Sequence, residues 1–260
     1  MLPTLSARAV SNIHIAHAFA KTGLVGHNSP WHHVWVALPE AVHGELGHFN
    51  PQELSNVVWA FAKAGHASAE LFHAISEVVH RRLGCFNGQD LSNTLWAFAK
   101  AGHASPKLFH AISAEMVHRG LDGYDPQHLS NTAWAFATAG HASHELFNAI
   151  SIEMVRGRLG DFKPQELSNT AWAFATVGHA SAELFNAISA EAVRRRLGGS
   201  IEQALSNTAW AFATAGHAWH ELFHAISAEM VHRRLGGCNP QHLSNTAWAF
   251  ATAGHGPRVA

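Results

Sequence analysis

Apolar and polar positions repeat along this chain with a period of 38 residues. Within each period the apolar residues recur at the three- to four-residue spacing of a helix, and no segment alternates with a period of two. This pattern predicts an all-α fold, an α-solenoid of about six to seven stacked helix-turn-helix repeats. The tripeptide Leu-Ser-Asn marks the repeats and begins at Leu54, Leu91, Leu129, Leu167, Leu205 and Leu243, with a degraded copy at Val10.

Each repeat carries signals for the ends of two helices. Asn50-Pro51-Gln52-Glu53 predicts a capped start of the first helix, and Gly65 supplies a left-handed residue after its end. The same start is expected at Asp125-Pro126 and Asn239-Pro240. The Gly-His pairs, from His66 to His255, are expected to cap the first helix. Serines are expected to start the second helix at Ser68, Ser105, Ser143 and Ser181.

The repeat also predicts the domain organisation. Residues 1–50 are expected to form a degenerate N-terminal capping repeat, and residues 51–260 a helical-repeat array whose last repeat is incomplete. The first 39 residues contain Arg8 and Lys21 but no acidic residue, which is typical of an organellar transit peptide. Because these residues align with the repeat, the capping interpretation is favoured. In the sixth repeat, counted from the degraded copy at Val10, Trp219 stands where serine is expected and Ile201 precedes the first helix. We therefore expect a local distortion there.

The segment His220-Glu-Leu-Phe-His224 matches the H-E-x-x-H pattern of zinc proteases. The aligned segments of the other repeats keep only Leu-Phe: the first position is His, Ala or Pro, and the last is His or Asn. A catalytic zinc site needs both histidines and a third ligand. We therefore expect no metal, no catalytic residue and no cofactor.

Composition narrows the choice of function. The chain is 47% hydrophobic with a formal net charge of −1, which excludes a disordered protein and gives no general attraction to nucleic acid. Cys85 and Cys238 form no CxxC pair, so neither a disulfide framework nor a zinc knuckle is expected. No apolar run reaches about 18 residues, and we predict no membrane contact.

One face of the first helix is polar in every repeat. At 100° per residue this face lies opposite the Leu and Phe that point to the second helix. We call it the polar floor and predict that it binds RNA. Its residues are Gln52, Asn56 and Lys63; Gln89, Asn93 and Lys100; Gln127, Asn131 and Thr138; Gln165, Asn169 and Thr176; Gln203, Asn207 and Thr214; and Gln241, Asn245 and Thr252. The alternative for the asparagines is a hydrogen-bond ladder between repeats.

Two further sets of residues border this face. The tryptophans at Trp59, Trp96, Trp134, Trp172, Trp210 and Trp248 are expected to pack between adjacent first helices, with base stacking as the alternative. Arginines at the C-terminal end of the second helix interact favourably with the helix dipole. Because they recur in successive repeats, they would also form a continuous basic rim that can bind phosphates. The basic rim comprises Arg81, Arg82, Arg119, Arg156, Arg158, Arg194, Arg195, Arg196, Arg233 and Arg234.

The motif Leu-Ser-Asn-Thr-x-Trp-Ala-Phe-Ala, with threonine at Thr94, Thr132, Thr170, Thr208 and Thr246, resembles the octotricopeptide repeat of algal organelle proteins. It is also similar to the repeats that accompany RAP domains and to those of mitochondrial RNA-editing substrate-binding proteins. The resemblance implies a non-catalytic protein that binds single-stranded RNA in a mitochondrion or plastid and acts in RNA processing, stability or translation. Other RNA-processing proteins are implied as partners. The Pro-Pro-Pro-Glu-Trp element of some algal members is absent.

A second class of function stays open. Armadillo repeats use a row of asparagines to hold an extended peptide, so a peptide-binding or scaffolding solenoid is the alternative. The neutral charge and the low lysine content favour this alternative. Strongly salt-dependent RNA binding would argue against it.

Overall fold

The computed structural model describes residues 32–157, 159–216, 219–233 and 239–254. These residues form twelve α-helices and two short 3-10 turns and contain no strand, which confirms the predicted all-α class. The chain divides into two compact units between Arg119 and Gly120. In both units the helices pack against their neighbours in a solenoid-like arrangement.

The first unit contains five described helices. They are α1 His32–Glu45, α2 Pro51–Ala64, α3 Ala69–Arg81, α4 Gly88–Lys100 and α5 Pro106–Arg119, with a 3-10 turn at Leu83–Cys85. The first helices of two repeats, α2 and α4, pack side by side over most of their length, whereas the second helices α3 and α5 contact each other less. Helix α1 packs on α3 and buries Trp35 against Phe61.

The second unit contains seven described helices. They are α6 Pro126–Thr138, α7 His144–Arg156, α8 Pro164–Thr176, α9 Ala182–Arg194, α10 Glu202–Ala215, α11 His220–His232 and α12 Pro240–Thr252, with a 3-10 turn at Leu159–Asp161. The first helices α6, α8, α10 and α12 pack successively in one layer, and the second helices α7, α9 and α11 form the other. First helices pack more closely on one another than second helices do. Small residues such as Ala135 and Ala173 on the first helices are fully buried, which is compatible with a close approach of the backbones.

Local signals form the helix ends as the sequence predicts. Asn50 and Glu53 make a reciprocal capping box at the start of α2. The hydroxyls of Ser68, Ser143 and Ser181 accept hydrogen bonds from the first turns of their helices. All six glycines predicted after the first helices have a positive φ, from 67° to 77°. The backbone N–H of the histidine that follows each glycine bonds to the phenylalanine carbonyl five residues earlier in four repeats, which confirms the capping interpretation for those histidines.

Asn239 caps α12 as expected, through the N–H of Gln241. Capping differs from the expectation at two points. Asp125 precedes α6, but its side chain makes no capping hydrogen bond, and its carboxylate lies 3.7 Å from the imidazole Nδ1 of His128. In the sixth repeat, counted from the degraded copy at Val10, neither Ile201 nor Trp219 provides a side-chain cap. Helices α10 and α11 nevertheless reach their usual lengths. Among the described residues the irregularity consists of these missing caps and of positive φ angles at Arg196 and Leu197, in the loop before α10.

The Leu-Phe pair of the second helix forms the core between repeats. Phe147 of α7 contacts Phe174 of α8 at a ring-centroid distance of 4.8 Å, and Phe185 of α9 contacts Phe212 of α10 at 4.9 Å. All four rings are buried. Helices α7 and α9 therefore pack on the first helix of the next repeat, and burying a phenylalanine contributes about 1.5–3 kcal/mol.

Candidate nucleic-acid interface

The serine of Leu-Ser-Asn joins neighbouring repeats. In the second unit its hydroxyl donates to a carbonyl oxygen of the next first helix, 36 residues later. The donor and acceptor pairs, each 3.1 Å apart, are Ser130 with Glu166, Ser168 with Ala204, and Ser206 with His242. In the first unit Ser55 instead lies 3.4 Å from the carboxylate of Asp90. The inter-repeat ladder therefore consists of serines.

The threonine of the motif donates to the same carbonyl oxygen as the serine of the preceding repeat. Thr170 donates to the carbonyl of Glu166, and Thr208 donates to that of Ala204, at 2.8 and 2.7 Å. Each of these oxygens thus accepts the hydroxyl of its own helix and that of the preceding repeat. Thr132 is an exception, since its buried hydroxyl has no partner. Sequence reasoning missed this role of Ser and Thr, although their invariant spacing from the buried leucine was visible.

The asparagine of the motif remains outside the ladder. Asn169 and Asn245 accept hydrogen bonds of 2.8 and 3.0 Å from Gln165 and Gln241 of their own helices. Among the described residues no hydrogen bond links a floor asparagine to a neighbouring repeat. Asn56 is exposed and the other five are half-buried. The glutamines and the Lys or Thr residues of the polar floor are exposed, apart from the half-buried Gln165.

The tryptophans pack across repeats but are not fully covered. Trp59 and Trp96 lie 6.2 Å apart between ring centroids, and Trp210 and Trp248 lie 6.4 Å apart, both pairs tilted by about 30°. These contacts confirm the predicted packing between adjacent first helices for both pairs. The tryptophans nevertheless stay half-buried, and Trp248 is 49% exposed.

Four arginines of the basic rim are bound by the fold itself. Their guanidiniums donate to backbone carbonyls of the loop that ends the preceding repeat, always 33 residues earlier. We call them the clamp arginines. They are Arg82 on Phe49, Arg119 on Phe86, Arg195 on Phe162 and Arg233 on Ser200, with donor–acceptor distances of 2.5 to 2.7 Å. Arg119 and Arg195 also donate to Leu83 and Leu159, so each spans two carbonyls.

The other described arginines of the basic rim face solvent. Arg81, Arg156, Arg194 and Arg196 are exposed, and Arg194 bonds to Glu191. Arg158 and Arg234 lie outside the described residues. A phosphate role therefore falls mainly on these exposed arginines, because the clamp arginines already direct N–H groups at carbonyls.

The clamp position differs in one repeat, where Gly157 replaces the arginine. In the next repeat, hydrogen bonds from Arg194 and Arg195 lower the pKa of Glu191 to about 2, against the opposing effect of burial. The equivalent carboxylate of Glu153 has no clamp arginine. Burial and the adjacent carboxylate of Asp122 raise the pKa of Glu153, which Arg156 only partly offsets.

The H-E-x-x-H segment lies on the exposed side of α11. His220 and His224 are both exposed and line an open surface cavity of about 720 Å³ together with Glu221, Phe223 and Phe250. Within the described ranges, no group of three or more His, Cys, Asp or Glu residues is arranged to hold a metal ion. The absence of zinc and of catalysis stays a prediction.

None of the described helices is both long enough and apolar enough to cross a bilayer.

Comparison with known proteins identifies a family. The family model described as RESC6, RNA-editing substrate-binding complex 6 protein, matches residues 5–254, which is nearly the whole chain. No curated protein matches the sequence. The similarity to RNA-editing substrate-binding proteins is thereby confirmed, whereas assignment to the octotricopeptide class stays a prediction. The chain belongs to the RNA-editing substrate-binding complex 6 protein family.

Proposed function

We propose that this protein is a non-catalytic repeat protein that binds single-stranded RNA on its polar floor during RNA editing. The observation that carries the proposal is that the four residues of Leu-Ser-Asn-Thr have different structural roles. Leucine is buried, and serine and threonine lock a carbonyl between repeats. Asparagine makes no hydrogen bond to a neighbouring repeat among the described residues, and its side chain is exposed in the first described repeat and half-buried in the other five.

The chemistry of the floor suits unpaired bases. A side-chain amide offers two donors and an acceptor group, which can pair with the edge of a base. Four successive repeats present the same Gln, Asn and Thr side chains; they contain Asn131, Asn169, Asn207 and Asn245. If one repeat meets one base, this segment should prefer a repetitive target. The repeats that contain Lys63 and Lys100 should prefer a different RNA sequence.

The family supports the setting of this proposal. Its name refers to an RNA-editing substrate-binding complex, so RNA and protein partners are both expected. RNA-editing substrate-binding complexes are mitochondrial, which supports the mitochondrial part of the expected localisation, while nothing supports a plastid.

Binding to a random single-stranded RNA pool at two salt concentrations tests the proposal, with single-stranded DNA for comparison. We expect salt-sensitive RNA binding that weakens when Asn131, Asn169 and Asn207 are changed to Ala. Asn148→Ala and Asn186→Ala are matched controls, because these asparagines lie on second helices and bond to His179 and Trp219. Unchanged RNA affinity in the triple variant, or no binding at low salt, would contradict the proposal.

A peptide-binding solenoid is the second candidate, and the composition of the floor favours it. In the second unit the floor carries no charged side chain, whereas phosphate neutralisation normally needs Lys or Arg. Capture of an extended peptide that depends on the same asparagines, without RNA binding, would establish this alternative.

A further inference from the structure

The tryptophan of each repeat belongs to the same helix face as the polar floor. It follows the floor asparagine by three residues and precedes the Lys or Thr by four, as in Asn169, Trp172 and Thr176. Residues three and four apart on a helix are surface neighbours, with about 5–6 Å between Cβ atoms. The tryptophan and the asparagine of each repeat are therefore surface neighbours on one helix.

The inter-repeat contact leaves part of each indole uncovered. Centroid distances of 6.2 and 6.4 Å lie near the long end of the range for aromatic pairs, about 4.5–7 Å, so the faces overlap only partly. Alanines on the first helices, such as Ala135 and Ala173, are fully buried by contrast. Five of the six tryptophans are half-buried and Trp248 is exposed, so part of each side chain stays accessible beside the polar face.

We infer that the indole and the asparagine of each repeat form one base-binding seat. The base stacks on the uncovered part of the indole, and the amide three residues earlier hydrogen-bonds to the edge of that base. This inference rests on the proposed function and adds the stacking surface to it. The second unit contains four such seats, Asn131 with Trp134, Asn169 with Trp172, Asn207 with Trp210 and Asn245 with Trp248.

The two members of a seat have separate tasks. Stacking holds any base, because every base has a π face. The amide distinguishes bases, because their edges differ in donors and acceptors. Loss of the indole should therefore weaken binding to all base-bearing strands, whereas loss of the amide should change sequence preference.

Binding of a single-stranded RNA of about 12 nucleotides and of an abasic strand of equal length and charge tests the seat. We expect Trp172→Leu to weaken RNA binding about 5- to 150-fold, which corresponds to the usual free energy of one base–aromatic stack. Trp172→Phe should lose less. The abasic strand should bind weakly and equally to wild type and Trp172→Leu.

Trp219→Leu is the matched control in the same unit. Trp219 is half-buried, packs on Phe185 and Phe212, and donates through Nε1 to Asn186, away from the floor. Its replacement should leave RNA affinity unchanged. Circular dichroism of each variant checks that the helices persist.

The outcomes separate the seat from the proposed function. An equal loss on RNA and abasic strands, or no loss on either, would overturn the seat. If the asparagine variants weaken RNA binding but Trp172→Leu does not, only the seat fails. If wild type binds neither strand, or if Trp172→Leu affects peptide capture instead, both ideas fail.

Discussion

Ser168 donates a hydrogen bond to the carbonyl oxygen of Ala204, 36 residues later, and so ties the first helix of one repeat to that of the next. Thr208 donates to the same oxygen from within α10. Two hydroxyls thus satisfy one buried acceptor, which explains why these two residue types recur beside the asparagine. Folding accounts for three of the four residues of Leu-Ser-Asn-Thr.

Replacing this serine should weaken the stack of repeats. We expect Ser168→Ala to lower the free energy of unfolding by about 0.5–1.5 kcal/mol, the usual net value of one hydrogen bond. Ser227→Ala, on the exposed side of α11, changes helix propensity in the same way without losing this bond. Urea unfolding of both variants measures their free energies of unfolding. Equal stability of the two would show that the ladder contributes nothing.

The clamp arginine should need its guanidinium fork. Arg195 spans the carbonyls of Phe162 and Leu159, each at 2.6 Å, a geometry that an ammonium group cannot reproduce. We expect Arg195→Lys to destabilise the protein by about 1.5–3 kcal/mol. Thermal unfolding should show this loss, whereas Arg196→Lys, at an exposed position, should leave the midpoint unchanged.

Glutamine variants of the same two arginines test the basic rim, because they remove the positive charge. If Arg195 is committed to the fold, Arg195→Gln should leave the salt dependence of RNA binding unchanged below the unfolding temperature. A reduced salt slope in Arg195→Gln would instead show that the clamp arginine contacts phosphate.

Glu191 and Glu153 occupy equivalent positions and should respond to pH in opposite directions. The folded pKa of Glu191, about 2, lies below the value near 4.3 of an unfolded glutamate. Its stabilisation is therefore present above about pH 4.3 and is lost as the pH falls towards 2. The pKa of Glu153 is raised, so its contribution is present below about pH 4.3 and is lost as the pH rises through the folded pKa.

Glutamine variants make this contrast measurable. At pH 7 we expect Glu191→Gln to destabilise by about 0.5–1 kcal/mol, as for a partly exposed ion pair. Glu153→Gln should be neutral or stabilising at the same pH. Denaturant unfolding from pH 7 to pH 3 should bring the Glu191 variant closer to wild type. A loss of stability in Glu153→Gln at pH 7 would contradict this account.

The His144–His179 contact should make stability sensitive to mild acid. Burial, and then His144 at 3.2 Å between Nδ1 atoms, lower the pKa of His179. The folded state therefore favours neutral His179, and stability should fall as the pH drops below about 6.5. His144→Ala should reduce the loss of thermal stability between pH 8 and pH 5, because one cause of the lowered pKa is removed. An unchanged loss would assign the effect to burial alone.

The repeat period, the helix ends and the core pairs were predictable from local sequence. Leu54 and Phe61 are buried because they lie on one helix face, and Gly65 ends α2 because a left-handed residue is needed there. These features depend on spacings within one helix. The composition of the polar floor was equally visible, since the same 100° projection that assigns the core also assigns the opposite face.

Partners of individual side chains were not predictable. Arg195 and Phe162 are 33 residues apart, and Ser168 and Ala204 are 36 apart, so neither contact follows from helical periodicity. Both depend on how one repeat is set against the next. The basic rim consequently looked like one class of residue, although only the clamp arginines bind carbonyls of the preceding repeat.

By itself the sequence determined that this chain is a stack of helical hairpins with an amide-rich face, because apolar spacing and capping residues act within about 38 residues. Only the tertiary structure decided which polar residues hold the stack and which remain at the surface. The reason is physical. A buried carbonyl between repeats must be satisfied by whichever hydroxyl or guanidinium the packing brings within hydrogen-bond distance, and that depends on the register of neighbouring helices.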